Sequence, residues 1–161
     1  MSTRAALLAQ RIEQGAHALA AFAQGLSDAQ WHTVVPPDGR QVGVIIHHVA
    51  SVYPIEIHLA TELALGNPIA GVTWGVVAEM NTKHAHEHAA VGKQDTIELL
   101  RRNSRSAAEA VRAFTDEQLD RAAPVSLNAD APLTAQFLIE DHALRHSWHH
   151  LAKIKAVLQS V

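Results

Sequence analysis

Apolar residues recur at intervals of three and four along stretches of this chain more than twenty residues long. A period near 3.6 is buried only as α-helix. Over residues 3–25 the recurring positions are Leu8, Ile12, Leu19 and Phe22. Over 41–65 they are Val42, Ile45, Ile46, Val49, Val52 and Tyr53. Over 133–159 they are Leu133, Phe137, Leu144, Trp148, Leu151, Ile154 and Leu158. Composition agrees: 48% of the 161 residues are hydrophobic, but only 4% are aromatic. An apolar fraction supplied by Ala, Leu, Val and Ile suits packed helices better than a sandwich or barrel.

Glycine, proline and capping residues divide these stretches. Gly25 ends the first helix, and Ser27-Asp28-Ala29-Gln30 has the pattern of a capping box opening a short helical turn. Val34–Arg40, with Pro36-Pro37 and Asp38-Gly39, reads as a loop. The second helix, 41–65, stops at Gly66-Asn67-Pro68 and carries Pro54, which should kink it. A third helix is expected over 73–90, broken by Gly92. A fourth is expected from Asp95, as N-cap, to Phe114. Thr115-Asp116-Glu117-Gln118 is a second capping box. A loop with Pro124, Asn128 and Pro132 precedes the last helix. The two capping boxes sit in a weak internal repeat: helix, capped turn, proline-containing loop, histidine-bearing helix. The expectation is a single all-α domain over 1–161, a four-helix bundle in which the histidine-bearing helices meet.

Several function classes are disfavoured. The formal net charge is −3 and no segment concentrates Lys or Arg, so no nucleic-acid footprint is present. With no cysteine, a disulfide framework and a thiolate metal site are excluded, leaving nitrogen and oxygen as the only metal ligands. No stretch reads as a signal peptide or as the roughly 20 uninterrupted apolar residues of a membrane span, which makes the cytoplasm the expected compartment.

The unusual feature is 12 histidines. At about 100° per residue, His48 falls on the edge of the apolar stripe of the second helix, whereas His47 points to the opposite side and His58 lies off the stripe. On the last helix His146 and His150 share one margin with Ile139, Ala143 and Val157, while His142 and His149 lie toward the polar side. Four residues apart, His146 and His150 stack one turn above the other and can chelate one cation. One imidazole from the second helix would complete a three-histidine set with open coordination positions. His84 and His88 have the same spacing and are the competing pair; periodicity by itself does not exclude them. Glu56, two turns beyond His48 on the apolar stripe, is a candidate to orient an imidazole, unless Pro54 turns it to solvent. Asn81 could hydrogen-bond near the site. Glu140 is expected closer than Asp141 to the apolar face. Trp31, Trp74 and Trp148 are expected as core anchors, with Trp148 best placed to wall a pocket.

Three segments bear a family resemblance. Val42-Gly43-Val44-Ile45-Ile46-His47-His48-Val49-Ala50 resembles the second-helix signature of the DinB-like metalloenzyme superfamily. His146-Ser147-Trp148-His149-His150-Leu151-Ala152-Lys153-Ile154 resembles that family's closing segment, and Met80-Asn81 with the run after it its third helix. Lys153 departs from the family, where glutamine is frequent. The resemblance implies a four-helix bundle of unusual connectivity and a divalent ion, typically Zn or Ni, on His48, His146 and His150. It also implies a homodimer acting on a small molecule. Some members are thiol-dependent S-transferases, and one branch isomerises maleylpyruvate with a low-molecular-weight thiol. The leading expectation is therefore a metal-dependent transferase or hydrolase. The alternatives are a non-catalytic, stress-associated metal-binding bundle and a dimerising interaction protein without metal.

Overall fold

The computed structural model describes residues 2–159. Its helices are α1 (Thr3–Gln24), α2 (Asp28–Trp31), α3 (Val42–Leu65), α4 (Trp74–Glu87), α5 (Lys93–Arg112), α6 (Asp116–Asp120), α7 (Ala135–Leu138) and α8 (Arg145–Gln159). A π-helical turn, Ile139–Leu144, joins α7 to α8, making one long final helix. α1 and α3 each pack against α5 and against the final helix, so the four long helices close around a common core. That core is aliphatic, with Leu8, Ile12, Leu19, Ile45, Ile46, Leu63, Leu100, Ile139 and Ile154 almost wholly removed from water.

The local signals act as their chemistry requires. Both capping boxes form: Ser27 with Gln30, and Thr115 with Gln118, each side chain bonding the other residue's backbone. Gly66 ends α3 at φ 86°, a left-handed conformation where a Cβ would crowd the carbonyl. There its N–H reaches Glu62 and Leu63. Gly43 has another reason: a Cβ there would lie 2.3 Å from the Trp31 ring, so the glycine lets α2 lie against α3. Pro54 does not break α3. It removes the N–H that would bond the Ala50 carbonyl, and Asn103 Nδ2 on α5 donates to that carbonyl instead at 2.9 Å.

Four expectations need correction. The segment 122–134 is not a plain loop: β1 (Ala122–Val125) and β2 (Ala131–Thr134) form an antiparallel hairpin, pairing Ala122 with Thr134 and Val125 with Ala131. α5 opens at Lys93 after an N-cap at Gly92, so Asp95 is a first-turn residue rather than the cap. The final helix buries Ala135, Leu138, Ile139, Ala143, Ser147, His150, Leu151 and Ile154. Phe137 and Trp148 of the expected stripe are exposed. The π turn takes more residues per turn, so a uniform 3.6 period drawn through it places Phe137 and Trp148 on the buried face in error, while Leu151 and Ile154 of the expected stripe are buried. Finally, α3 is long and apolar enough to cross a membrane by length and composition, contrary to the sequence reading. Here it is the helix around which the bundle packs, with residues from Val42 to Ala64 buried along it.

Candidate metal centre

α3 brings His48 toward the core and α8 brings His146 and His150. One ligand atom from each lies within 4.8 Å of the others. Ring centroids are 5.0 Å apart for His48 and His146, 4.9 Å for His146 and His150, and 5.8 Å for His48 and His150. A zinc-type bond of about 2.1 Å plus roughly 1.1 Å to the ring centre gives about 5.2 Å between rings around a tetrahedral ion. The three rings stand near that spacing.

The register between α3 and α8 is held by a buried hydrogen bond, Tyr53 Oη to Ser147 Oγ at 2.7 Å. Ser147 follows His146 in sequence, and Tyr53 lies between His48 and Glu56. The bond therefore ties together the two helix segments that carry the histidines. Burial pushes the Tyr53 hydroxyl well above its ordinary pKa, keeping it neutral.

Glu56 is buried, not turned out by Pro54. Its Oε1 lies 2.7 Å from His146 Nδ1. A carboxylate only accepts, so Nδ1 carries the proton and the Nε2 lone pair of His146 is left for the cluster. Glu56 Oε2 and His150 Nδ1 are buried without a hydrogen-bond partner. His48 is held at about 3, first by burial and then by His146. His150 is held at about 2, again by burial first, then by His146 and His48. Both stay neutral at physiological pH, the form in which imidazole offers a lone pair. Desolvated imidazole nitrogens converging with an orienting carboxylate fit a divalent metal ion that prefers nitrogen over oxygen ligands.

The other candidates lie elsewhere. Glu140 pairs with Arg11 at 2.8 Å, and Asp141 with Arg145 at 3.1 Å. Asn81 is half-buried on α4 and belongs to neither histidine cluster. Trp31 is a core anchor whose Nε1 donates to the Val91 carbonyl at 3.1 Å. Trp74 is 68% exposed and Trp148 45%, so neither anchors the core. The Trp148 indole instead lies against Gly15. Lys153 is exposed. His84 and His88 do not join His146 and His150; they meet His47, which faces α4 rather than open solvent.

Sequence reasoning missed Arg40. It sits in the 34–40 loop, paired with Asp38 at 2.5 Å, and its Nη1 is buried without a partner. Its positive charge helps lower the pKa values of His48, His84 and His150. Nothing in the helical periodicity marks a loop residue of this kind; only chain folding brings it to the histidines.

Fold and cluster together define a helical-bundle protein with a histidine site suited to a metal ion. The sequence profile described as the DinB superfamily matches residues 11–154, and the chain belongs to that superfamily. Among solved structures it is similar to YfiT from Bacillus subtilis, described as a probable metal-dependent hydrolase with an unusual four-helix bundle topology. The TM-score is 0.75 at 17% identity, covering 99% of this chain and 89% of the other. No curated protein sequence matches the chain.

Proposed function

We propose that the chain is a metal-dependent enzyme that holds one divalent ion, Zn or Ni, on His48, His146 and His150 and acts on a small molecule. The observation that carries this reading is the convergence of three imidazole nitrogens within 4.8 Å, with Glu56 bonded behind one of them. When bound, such an ion supplies Lewis acidity, lowering the pKa of a coordinated water or thiol toward about 7.

The protein's own residues do the rest. Glu56 fixes the tautomer and orientation of His146. Tyr53 and Ser147 hold the two helices in register. Burial keeps His48 and His150 neutral. Arg40 places positive charge beside the cluster, which favours a substrate bearing a carboxylate or phosphate. With no cysteine in the chain, a thiol nucleophile would enter as a low-molecular-weight cosubstrate. Hydrolysis and S-transfer then differ only in which nucleophile is used. The DinB-superfamily membership and the description of YfiT support the metal-dependent reading. A homodimer in the cytoplasm is the setting we propose for it.

The test is metal retained after exhaustive dialysis of tag-free protein, read by elemental analysis, with turnover of an anionic substrate panel measured with and without added thiol. Wild type and His84→Ala should retain about one tightly held equivalent, and His146→Ala and His48→Ala should lose it. Retention by His146→Ala with loss by His84→Ala would overturn the site assignment. Metal without turnover under either condition would favour a non-catalytic bundle.

A further inference from the structure

α3 presents two adjacent histidines, and only one is used above. His47, about 100° around the helix from His48, faces α4. There it meets His84 and His88, and one ligand atom from each of these three also lies within 4.8 Å of the others. His47 Nδ1 stands 2.8 Å from His84 Nε2. Ring centroids are 4.2 Å apart for His47 and His88, 4.7 Å for His84 and His88, and 5.1 Å for His47 and His84. Rings around one ion at about 2.1 Å would stand roughly 4.5 Å apart at right angles and about 5.2 Å apart in a tetrahedron.

We propose that His47, His84 and His88 form a second divalent-metal site, which fastens α4 to α3. The construction repeats that of the first cluster: one histidine from α3 and an i, i+4 pair from a second helix. The two clusters are neighbours, His48 and His84 lying edge to face at 5.5 Å, but they share no ligand.

The packing of α4 gives the second site its purpose. No residue of α4 is buried, and Trp74, Val76 and Met80 are exposed. A 14-residue helix without a buried apolar face is marginal in water by itself. Yet the described structure lays it on α3 with His84 and its C-cap His88 turned to His47, while His86 is exposed. Hydrogen bonding between imidazoles is a poor substitute for a core: His84 Nδ1 is buried and has no partner. An ion bonded to both helices would provide the missing fastening, as structural metal sites do in small domains.

Ligand chemistry selects the ion. Three imidazoles suit Zn, Ni, Co or Cu, and with no carboxylate among them they do not suit Mg or Ca. Among the described residues no carboxylate is bonded to these rings, unlike His146 with Glu56. Such outer partners are worth 10–100-fold in affinity, so the second site should bind about 10–100-fold more weakly than the first.

The experiment is a cobalt(II) titration of tag-free, chelator-stripped protein. It is followed by d–d absorbance and by hydrogen exchange of the α4 amides. Wild type should take up two equivalents in two phases, and exchange across residues 74–87 should slow during the second phase only. The His84→Ala/His88→Ala variant should fold, since these side chains are not in the core. It should keep the first phase within about threefold and lose the second together with the α4 protection. His146→Ala should lose the first phase and keep the second, so failure of either site is visible separately. Wild type that saturates at one equivalent overturns the proposal. So do a double variant that still takes two, loss of both equivalents together, and α4 exchange that ignores the second equivalent.

Discussion

Replacing Glu56 by glutamine isolates a single charge. Glutamine keeps the size and can still offer an oxygen to His146 Nδ1, which Glu56 now contacts at 2.7 Å. An ion on the far ring nitrogen would stand about 7 Å from the carboxylate. A unit negative charge and a divalent ion at that distance attract by about 1 kcal/mol at water's dielectric and by about 5 kcal/mol at an effective dielectric of 20. Orienting carboxylates behind metal-bound histidines are worth 10–100-fold in affinity, or about 1.4–2.7 kcal/mol, which falls inside those limits. Glu56→Gln should therefore weaken zinc binding 10–100-fold in a competition titration against a chromophoric chelator. Circular dichroism should show the helices unchanged. An affinity within twofold of wild type would refute the assignment of Glu56 as the group that activates His146. A loss of helix would show that the buried carboxylate is structural.

Three further outcomes follow from the geometry. His48 and His150 have folded pKa values depressed to about 3 and about 2. The unfolded chain therefore takes up protons below about pH 6.5 that the native protein refuses, and metal-free stability falls as pH drops from there toward about 3. Urea denaturation should show a loss on the order of 4 kcal/mol between pH 7.5 and 5, and an unchanged midpoint would contradict the neutral, buried state of these rings. Tyr53→Phe leaves Ser147 Oγ without its buried partner and should cost about 1–3 kcal/mol in chemical denaturation. If the bond sets register, that variant also weakens metal binding; unaltered affinity would confine Tyr53 to stability. Asn103→Ala strips the Ala50 carbonyl of its donor and should lower stability by about 1–3 kcal/mol. No change would mean that solvent replaces the amide at Pro54.

Local rules were enough for part of the molecule. The helices over 3–24 and 42–65, the stop at Gly66, and both capping boxes depend on residues a few positions apart, so the sequence contains all their causes. The same holds for the stacking of His146 on His150 and of His84 on His88, which the helical repeat dictates. The likeness to the DinB superfamily is legible for the same reason: Val42–Ala50 and His146–Ile154 are short segments that resemble it, and the family profile spans both within residues 11–154.

What the sequence could not decide was which partners meet across helices. His47 and His48 differ by one position, and periodicity assigned one inward and one outward. Packing gives each a helix of its own: α8 for His48 and α4 for His47. The face of the final helix turned on a π insertion that no composition signal announces, and Arg40 reached the histidines only through the course of its loop. Helical periodicity is a property of one segment and is written in its own residues. The meeting of segments depends on how the α3–α8 and α3–α4 contacts settle, through bonds such as Tyr53 to Ser147 between residues 94 positions apart. Only the folded chain brings such residues together.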